Sequence, residues 1–381
     1  MHRHMFCFKR RDAIARKGMV IMKKINRRNF LKVMGLASAS LTLAACGGSS
    51  STATSTATST AASAAAGDAA AAASDPAVSF SVTNTHSGEG VQDKSMDKLI
   101  ELADKYSGGS IKGTKIAGGS LGGEREETEM LQLGTLECAF VADMGVDSAI
   151  GGLGWAWLPF MLTDYDQVDE YYINGWINDE LTKQYADNGL IRVAPTENCF
   201  RECGNVKRPI NSMADMTGLK IRVPETQACQ DFYTALGAIP AAIATSETLA
   251  ALEQGTVDGV DNSIYNMKSM GVLEKIKYIT MLNYMYSGAS ITCSEEFWNS
   301  MTANQQAAFK QAADEAGAFF RENMRADEQT ILDQGSFEVE EIDPSSDFYK
   351  EMKEKAVELW AGYASQYPSD IMDRINQDFS V

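Results

Sequence analysis

Histidine is nearly missing from this sequence: 381 residues contain His2, His4 and His86 and no other. That scarcity removes most zinc sites and most general-base schemes. It also disarms a nucleophile motif. Gly118-Gly119-Ser120-Leu121-Gly122 fits G-x-S-x-G, but the hydrolase order puts a histidine after the serine, and none follows Ser120. There is no G-K-[ST] run for a phosphate loop, and the glycines at 118–123 lead into Glu124, Glu126 and Glu127, which would repel phosphate. The expectation is no catalytic residue, no metal and no cofactor. Cysteine offers little more. Past Cys46 there are Cys138, Cys199, Cys203, Cys229 and Cys293, an odd number without a disulfide framework. Cys199 and Cys203 are close in sequence but have no histidine or second cysteine pair nearby, so buried or unpaired thiols are expected.

Positive charge is also short. The chain has 34 Lys and Arg against 51 Asp and Glu, and 11 of the basic residues fall within the first 45 positions with a single acid. The remainder carries 23 basic and 50 acidic groups, a formal charge of −27. A surface of that sign excludes nucleic acid as a partner. It also excludes adhesion to an anionic membrane without a lipid.

The basic start reads as an address. Asn26-Arg27-Arg28-Asn29-Phe30-Leu31-Lys32 resembles a twin-arginine export signal, and an apolar run from Val33 to Ala45 follows. Leu43-Ala44-Ala45-Cys46 reads as a lipobox in which Cys46 is lipidated and becomes the mature N-terminus. The run is too short for a permanent membrane span, which needs about 20 apolar residues. Met22 is the expected start, because Met1 to Val20 adds only an irregular basic stretch. Residues 46–76 are Gly, Ser, Thr and Ala with little else, too polar and too small to offset their ordering entropy, and read as a disordered tether.

From Val78 on, strand and helix signals alternate. Strands are expected at 78–84, 113–117, 137–141, 190–196, 220–223, 241–243, 257–260 and 288–293. Helices are expected at 91–106, 124–133, around 165–187, and at 227–236, 246–254, 302–334 and 347–367, with Ser246 and Thr302 as caps. The βαβαβ opening points to an α/β fold whose ligands sit beyond the carboxyl ends of strands, which singles out Asn84 and Asp143. Roughly 305 folded residues suggest two lobes. In Gly218-Leu219-Lys220-Ile221-Arg222-Val223-Pro224, Ile221 and Val223 share one face and Pro224 ends the ladder. Arg222 is then a guanidinium held near a strand end, either suited to a carboxylate or facing water. Trp155 and Trp157 either pack between lobes or line a cleft.

Three segments taken together resemble the solute receptors of tripartite ATP-independent periplasmic (TRAP) transporters, the DctP-like family. They are Arg201…Pro209-Ile210-Asn211-Ser212…Asp215-Met216…Gly218–Pro224, Ser246-Glu247…Leu252–Asn262, and Gly119–Glu124 with Leu133–Glu137. The resemblance covers about residues 78–375. It implies a two-lobe periplasmic-binding-protein-like fold with a long helix spanning both lobes. The corresponding division is 1–45 signal, 46–76 tether, 77–199 first lobe and 200–288 second lobe. Residues 289–327 form first lobe and spanning helix, 328–355 return to the second lobe, and 356–381 form a C-terminal helix on the first. Arg222 matches the family's carboxylate-clamping arginine. Arg201 matches a second arginine, with a surface or hinge role as its alternative, and Asn262 a polar residue of the site. Asp143 and Asn84 lie where relatives make ligand contacts. Thr245 stands where sialic-acid receptors carry an aromatic ring, which argues against a bulky sugar acid. The implied protein is a monomeric, lipid-anchored extracytoplasmic receptor that hands an organic acid to TRAP membrane subunits. A C4-dicarboxylate or related carboxylate is the first expectation for that acid. 2-Oxo acids, hexuronates and aromatic acids remain open, the last through Trp155, Trp157 and Tyr265. A receptor presenting its ligand to a membrane sensor kinase is the alternative.

Overall fold

The computed structural model describes residues 75–379 except Ser87 and Glu89. The signal-like segment, the lipobox with Cys46 and the tether up to residue 74 lie outside the described residues. Two sheets organise the rest. The first has the order β2-β1-β3-β10-β4, from Ile111–Lys115, Val78–Asn84, Cys138–Ala142, Tyr286–Ser294 and Leu190–Phe200. β1 runs parallel to β2 and β3, joined by helices α1 (Val91–Tyr106) and α2 (Glu124–Gln132), while β10 is antiparallel to both its neighbours. α1 forms because Val91, Met96, Leu99, Leu102 and Ala103 recur at helical spacing, and all five are buried. β2 starts two residues earlier than expected. Gly113 lies within it, where a Cβ would come within 2.6 Å of Ile100 and 2.7 Å of Phe80, so the glycine lets α1 and β1 close over the strand.

The second sheet has the order β11-β9-β5-β8-β6-β7, from Glu338–Glu341, Tyr278–Met281, Glu202–Asn205, Gly259–Asn262, Lys220–Val223 and Ile239–Ala242. Its helices include α6 (Met213–Met216), α7 (Gln227–Ala235), α8 (Thr248–Glu253) and α9 (Ile264–Ser269); α3 (Asp143–Ile150), α4 (Tyr165–Gln167) and α5 (Trp176–Asp187) belong with the first. α8 begins later than expected. A 3-10 turn occupies Thr245–Glu247 and Ser246 makes no cap; the Thr248 hydroxyl instead donates to the Ala244 carbonyl.

Two strand pairs carry the chain between sheets. β4 ends at Phe200 and β5 begins at Glu202, so Arg201 alone separates them. The return runs from β9 to β10 across residues 282–285, and the Arg201 amide donates to the Met285 carbonyl at 2.9 Å. A short helix α10 (Glu295–Ser300) precedes α11 (Ala303–Gln334), 32 residues and about 48 Å long at ~1.5 Å per residue. Thr302 and Gln305 form the expected capping box. α11 touches both sheets' surroundings. Tyr106 of α1 donates to Glu315, Arg321 donates to the Pro195 carbonyl on β4, and Glu328 accepts the Ile264 amide of α9 at 2.9 Å. The final helical region divides into α12 (Asp347–Tyr363) and α13 (Ser369–Asp378), because Pro368 disfavours helix in the residue before it.

Trp155 and Trp157 are core residues. Trp155 stacks on Trp176 at 5.7 Å and donates to Gln184, and both are buried. The five cysteines from Cys138 to Cys293 are free and buried. Among the described residues no helix is long and apolar enough to cross a membrane.

Candidate functional site

A cleft of about 750 Å³ opens between the loops after β1 and β2, the start of α2, and the ends of β6 and β7. It continues into a recess of about 50 Å³ lined by Arg201, Arg222, Glu124, Asn198, Asn262 and Ser287, among others. The cation at this inner end is placed by β6. That strand lies between β7 and β8, so Ile221, Arg222 and Val223 are all buried, and Pro224 turns the chain into the cleft wall. The Arg222 Nε donates to the Ile243 carbonyl at 2.8 Å and one Nη to the Thr245 hydroxyl at 3.4 Å. Neither partner is charged. Burial, and then Arg201, bring the guanidinium down to about 10, which leaves it cationic at neutral pH.

Arg201 differs. Its Nε lies 3.0 Å from Asp261 Oδ2 and an Nη donates to the Asp261 carbonyl at 2.7 Å. Asp261 is fully buried and also accepts Tyr284 at 3.1 Å. Despite burial, that carboxylate holds Arg201 above its ordinary range. The recess therefore contains one guanidinium already neutralised and one that is not.

Glu124, the first residue of α2, faces them. Its Oε1 accepts the Ala142 amide at 2.9 Å, and burial pushes the carboxyl up to about 7 against the pull of that amide, Arg201 and Arg222. Gly145 makes room for it: a Cβ there would come within 2.3 Å of the Glu124 Cβ. Three residues on, Glu127 is sealed with neither carboxyl oxygen hydrogen-bonded. Burial, with Glu124 and Glu126 nearby, raises it to about 9, so it is protonated at neutral pH. His86 lines the cleft, and burial lowers its imidazole to about 4, so it is neutral. Among the described residues no aromatic side chain other than this imidazole lines cleft or recess, and no group of three His, Cys, Asp or Glu could hold a metal.

The family model of the bacterial extracellular solute-binding proteins, family 7 (DctP), matches residues 82–366. The chain belongs to this family. The C4-dicarboxylate-binding periplasmic protein DctP of Rhodobacter capsulatus is 27% identical over 259 residues, 65% of this chain and 76% of that one. The C4-dicarboxylate-binding protein DctB of Bacillus subtilis is 30% identical over 210 residues, 54% and 59% of the two chains. Among solved structures, a TRAP periplasmic solute-binding protein from a Polaromonas species, bound to D-erythronate, has a TM-score of 0.72 at 27% identity, covering 80% of this chain and 99% of that one. These relatives are solute binders rather than enzymes, and the fold is the two-lobe α/β fold of TRAP receptors.

In this solute-binding protein the residues singled out from sequence fall into two sets. Arg222, Arg201, Asn262 and Thr245 come together around the recess. Asn262 keeps its amide oxygen on the Ser263 and Asn266 N–H groups. Asn84 and Asp143 lie behind the wall. The Asn84 oxygen accepts the His86 amide at 2.7 Å and its NH₂ meets Met96 Sδ, so it shapes the loop that carries His86. Asp143 is fully buried and taken by Tyr172, Tyr185 and Arg192. Neither lines the cleft, and nor do Trp155, Trp157 or Tyr265, whose hydroxyl accepts the Val91 amide. The resemblance did not bring out Glu124 as a site residue. Its signal was the same acidic run that excludes phosphate.

Proposed function

We propose that this solute-binding protein is the receptor of a TRAP transporter, capturing an organic acid by its carboxylate on Arg222 and delivering it to membrane subunits. The observation that carries the reading is the charge state of the recess: a buried guanidinium with only neutral partners, beside a second arginine committed to Asp261. A carboxylate presents two oxygens in the plane that a guanidinium fork satisfies. It also returns an unpaired buried cation to a paired state. The relatives named for C4-dicarboxylates and the neighbour holding D-erythronate support an acid as the solute. The lipobox supports lipidation at Cys46, which would tether the receptor outside the cytoplasmic membrane on its Ser/Thr/Ala segment. Capture is then a shift toward a closed state that the bound anion favours.

Losing one partner of such a pair costs roughly 3–5 kcal/mol, or about two to three and a half orders of magnitude in affinity. Arg222→Ala is expected to abolish the thermal stabilisation that an organic-acid library gives the exported wild-type protein. Unchanged affinity for the wild-type ligand in calorimetry would remove Arg222 from the site.

A further inference from the structure

The charged groups around the cleft are unevenly placed, and the imbalance bears on which acids fit. Arg222 is the inner cation free to take a carboxylate. Away from it, the charged groups of the lining among the described residues are Glu124, the exposed Glu126 and Glu225, Arg125, and in the recess Arg201, which is paired with Asp261. Arg125 is 58% exposed and its Nε sits 3.2 Å from Glu129, one helical turn along, where water screens it. His86 is neutral. Apolar Met144, Ile243, Leu249 and Met270 make up much of the remaining wall, and between them stand the hydroxyls of Thr85, Ser148, Thr226 and Ser246, with Asn198 and Ser287 in the recess. A second carboxylate would thus meet only Arg201, already paired with Asp261, and would lie against Glu124. A chain of hydroxyl groups would meet donors and acceptors, and the Glu124 oxygen not engaged by Ala142 is placed to accept from one of them.

From this arrangement we infer that the receptor selects hydroxylated monocarboxylates over dicarboxylates of the same skeleton, with Glu124 as the residue that excludes the second carboxylate. The inference rests on the receptor reading above and narrows it. It sets aside aromatic acids too, since no Phe, Tyr or Trp lines the site to stack on one. Glu124 supplies a second signature. Its carboxyl, raised by burial to about 7, is faced by Arg201 from the β4–β5 junction, Arg222 from β6, the committed Asp143 at the start of α3, and Glu127 on its own helix. As pH rises through 7 the added charge on Glu124 repels a second carboxylate more strongly. The penalty on dicarboxylates therefore grows with pH.

The test uses matched probes in which a terminal CH₂OH is replaced by carboxylate: erythronate with meso-tartrate, threonate with tartrate, gluconate with glucarate. Calorimetry on the full-length exported protein at pH 6 and pH 8 should show the monocarboxylate of the best-bound pair at least tenfold tighter at pH 8, with a smaller ratio at pH 6. Glu124→Gln, which keeps the acceptor of the Ala142 amide, should bring the pH 8 ratio to within about threefold and remove its pH dependence. A dicarboxylate bound as tightly as its partner at pH 8 would overturn the inference while leaving the receptor reading intact. So would a ratio untouched by Glu124→Gln. If no acid of either series binds, the receptor reading fails and this one falls with it.

Discussion

Arg201 and Arg222 stand side by side yet serve opposite ends of the fold-and-function problem. Arg201 holds a fully buried carboxylate at the junction of two strands, whereas Arg222 holds no charge at all. Removing them should separate stability from binding. Arg201→Met strands Asp261 in the interior, a loss of about 3–5 kcal/mol, partly relieved by the Tyr284 hydroxyl. Arg222→Met discards a cation that has no counterion, so its stability should stay within about 1 kcal/mol of wild type while binding is lost. Urea denaturation of both variants checks this; equal losses would mean that both arginines are structural. The place of Arg222 at the site was read only from the family resemblance, but the strand that carries it was legible because a lysine, an isoleucine, a valine and a proline around it specify a short strand with a stop. Arg201's commitment was not, since Asp261 lies 60 residues away and its pairing depends on the register of β5 against β8. Asp143 failed the same way: its partners Tyr172, Tyr185 and Arg192 become neighbours only after α5 packs on β4.

Long, well-capped elements were the readable ones. The capping box at Thr302 and Gln305 starts a helix whose buried face follows from Ala308, Phe309, Ala312, Ala313, Ala316 and Phe320. The short strands β7 and β8 drifted by one or two residues, because four-residue strands have too little alternation to fix their ends. Proline carries positional meaning here: Pro195 lies in β4 and Pro240 in β7, each the outer strand of its sheet, where a missing N–H leaves no neighbour unpaired. α11 binds Glu197 of β4 through Arg325 and the start of α9 through Glu328, so its integrity sets the relation of the two sheets. Thr302→Ala removes the box and the hydroxyl's contact with Asp75. It should cost about 1–2 kcal/mol in denaturation while leaving ligand affinity unchanged, since the cap is outside the cleft lining. An intact denaturation midpoint would show that packing alone holds the first turn.

At the scale of the whole molecule the receptor works against its own field. Beyond residue 45 acidic groups outnumber basic ones by 50 to 23, and an incoming anion feels that excess before it feels Arg222. The screening length is about 30 Å at 0.01 M salt and about 8 Å at 0.15 M. At low salt the repulsion reaches well into solution, whereas at physiological salt only charges near the cleft act on the ligand. Arg222 is buried and shares the cleft lining with Glu124, Glu126 and Glu225, so its attraction is short-ranged at any salt. Screening should therefore remove more repulsion than attraction. The association rate constant for a monocarboxylate, followed by stopped-flow fluorescence, is expected to rise several-fold between 0.01 and 0.15 M salt, the reverse of electrostatically steered capture. A rate that falls with salt would mean that the cleft's local potential is positive far beyond its mouth. The charge placement around Arg222 would then have to be redrawn, and with it the assignment of that residue as an anchor reached only at short range.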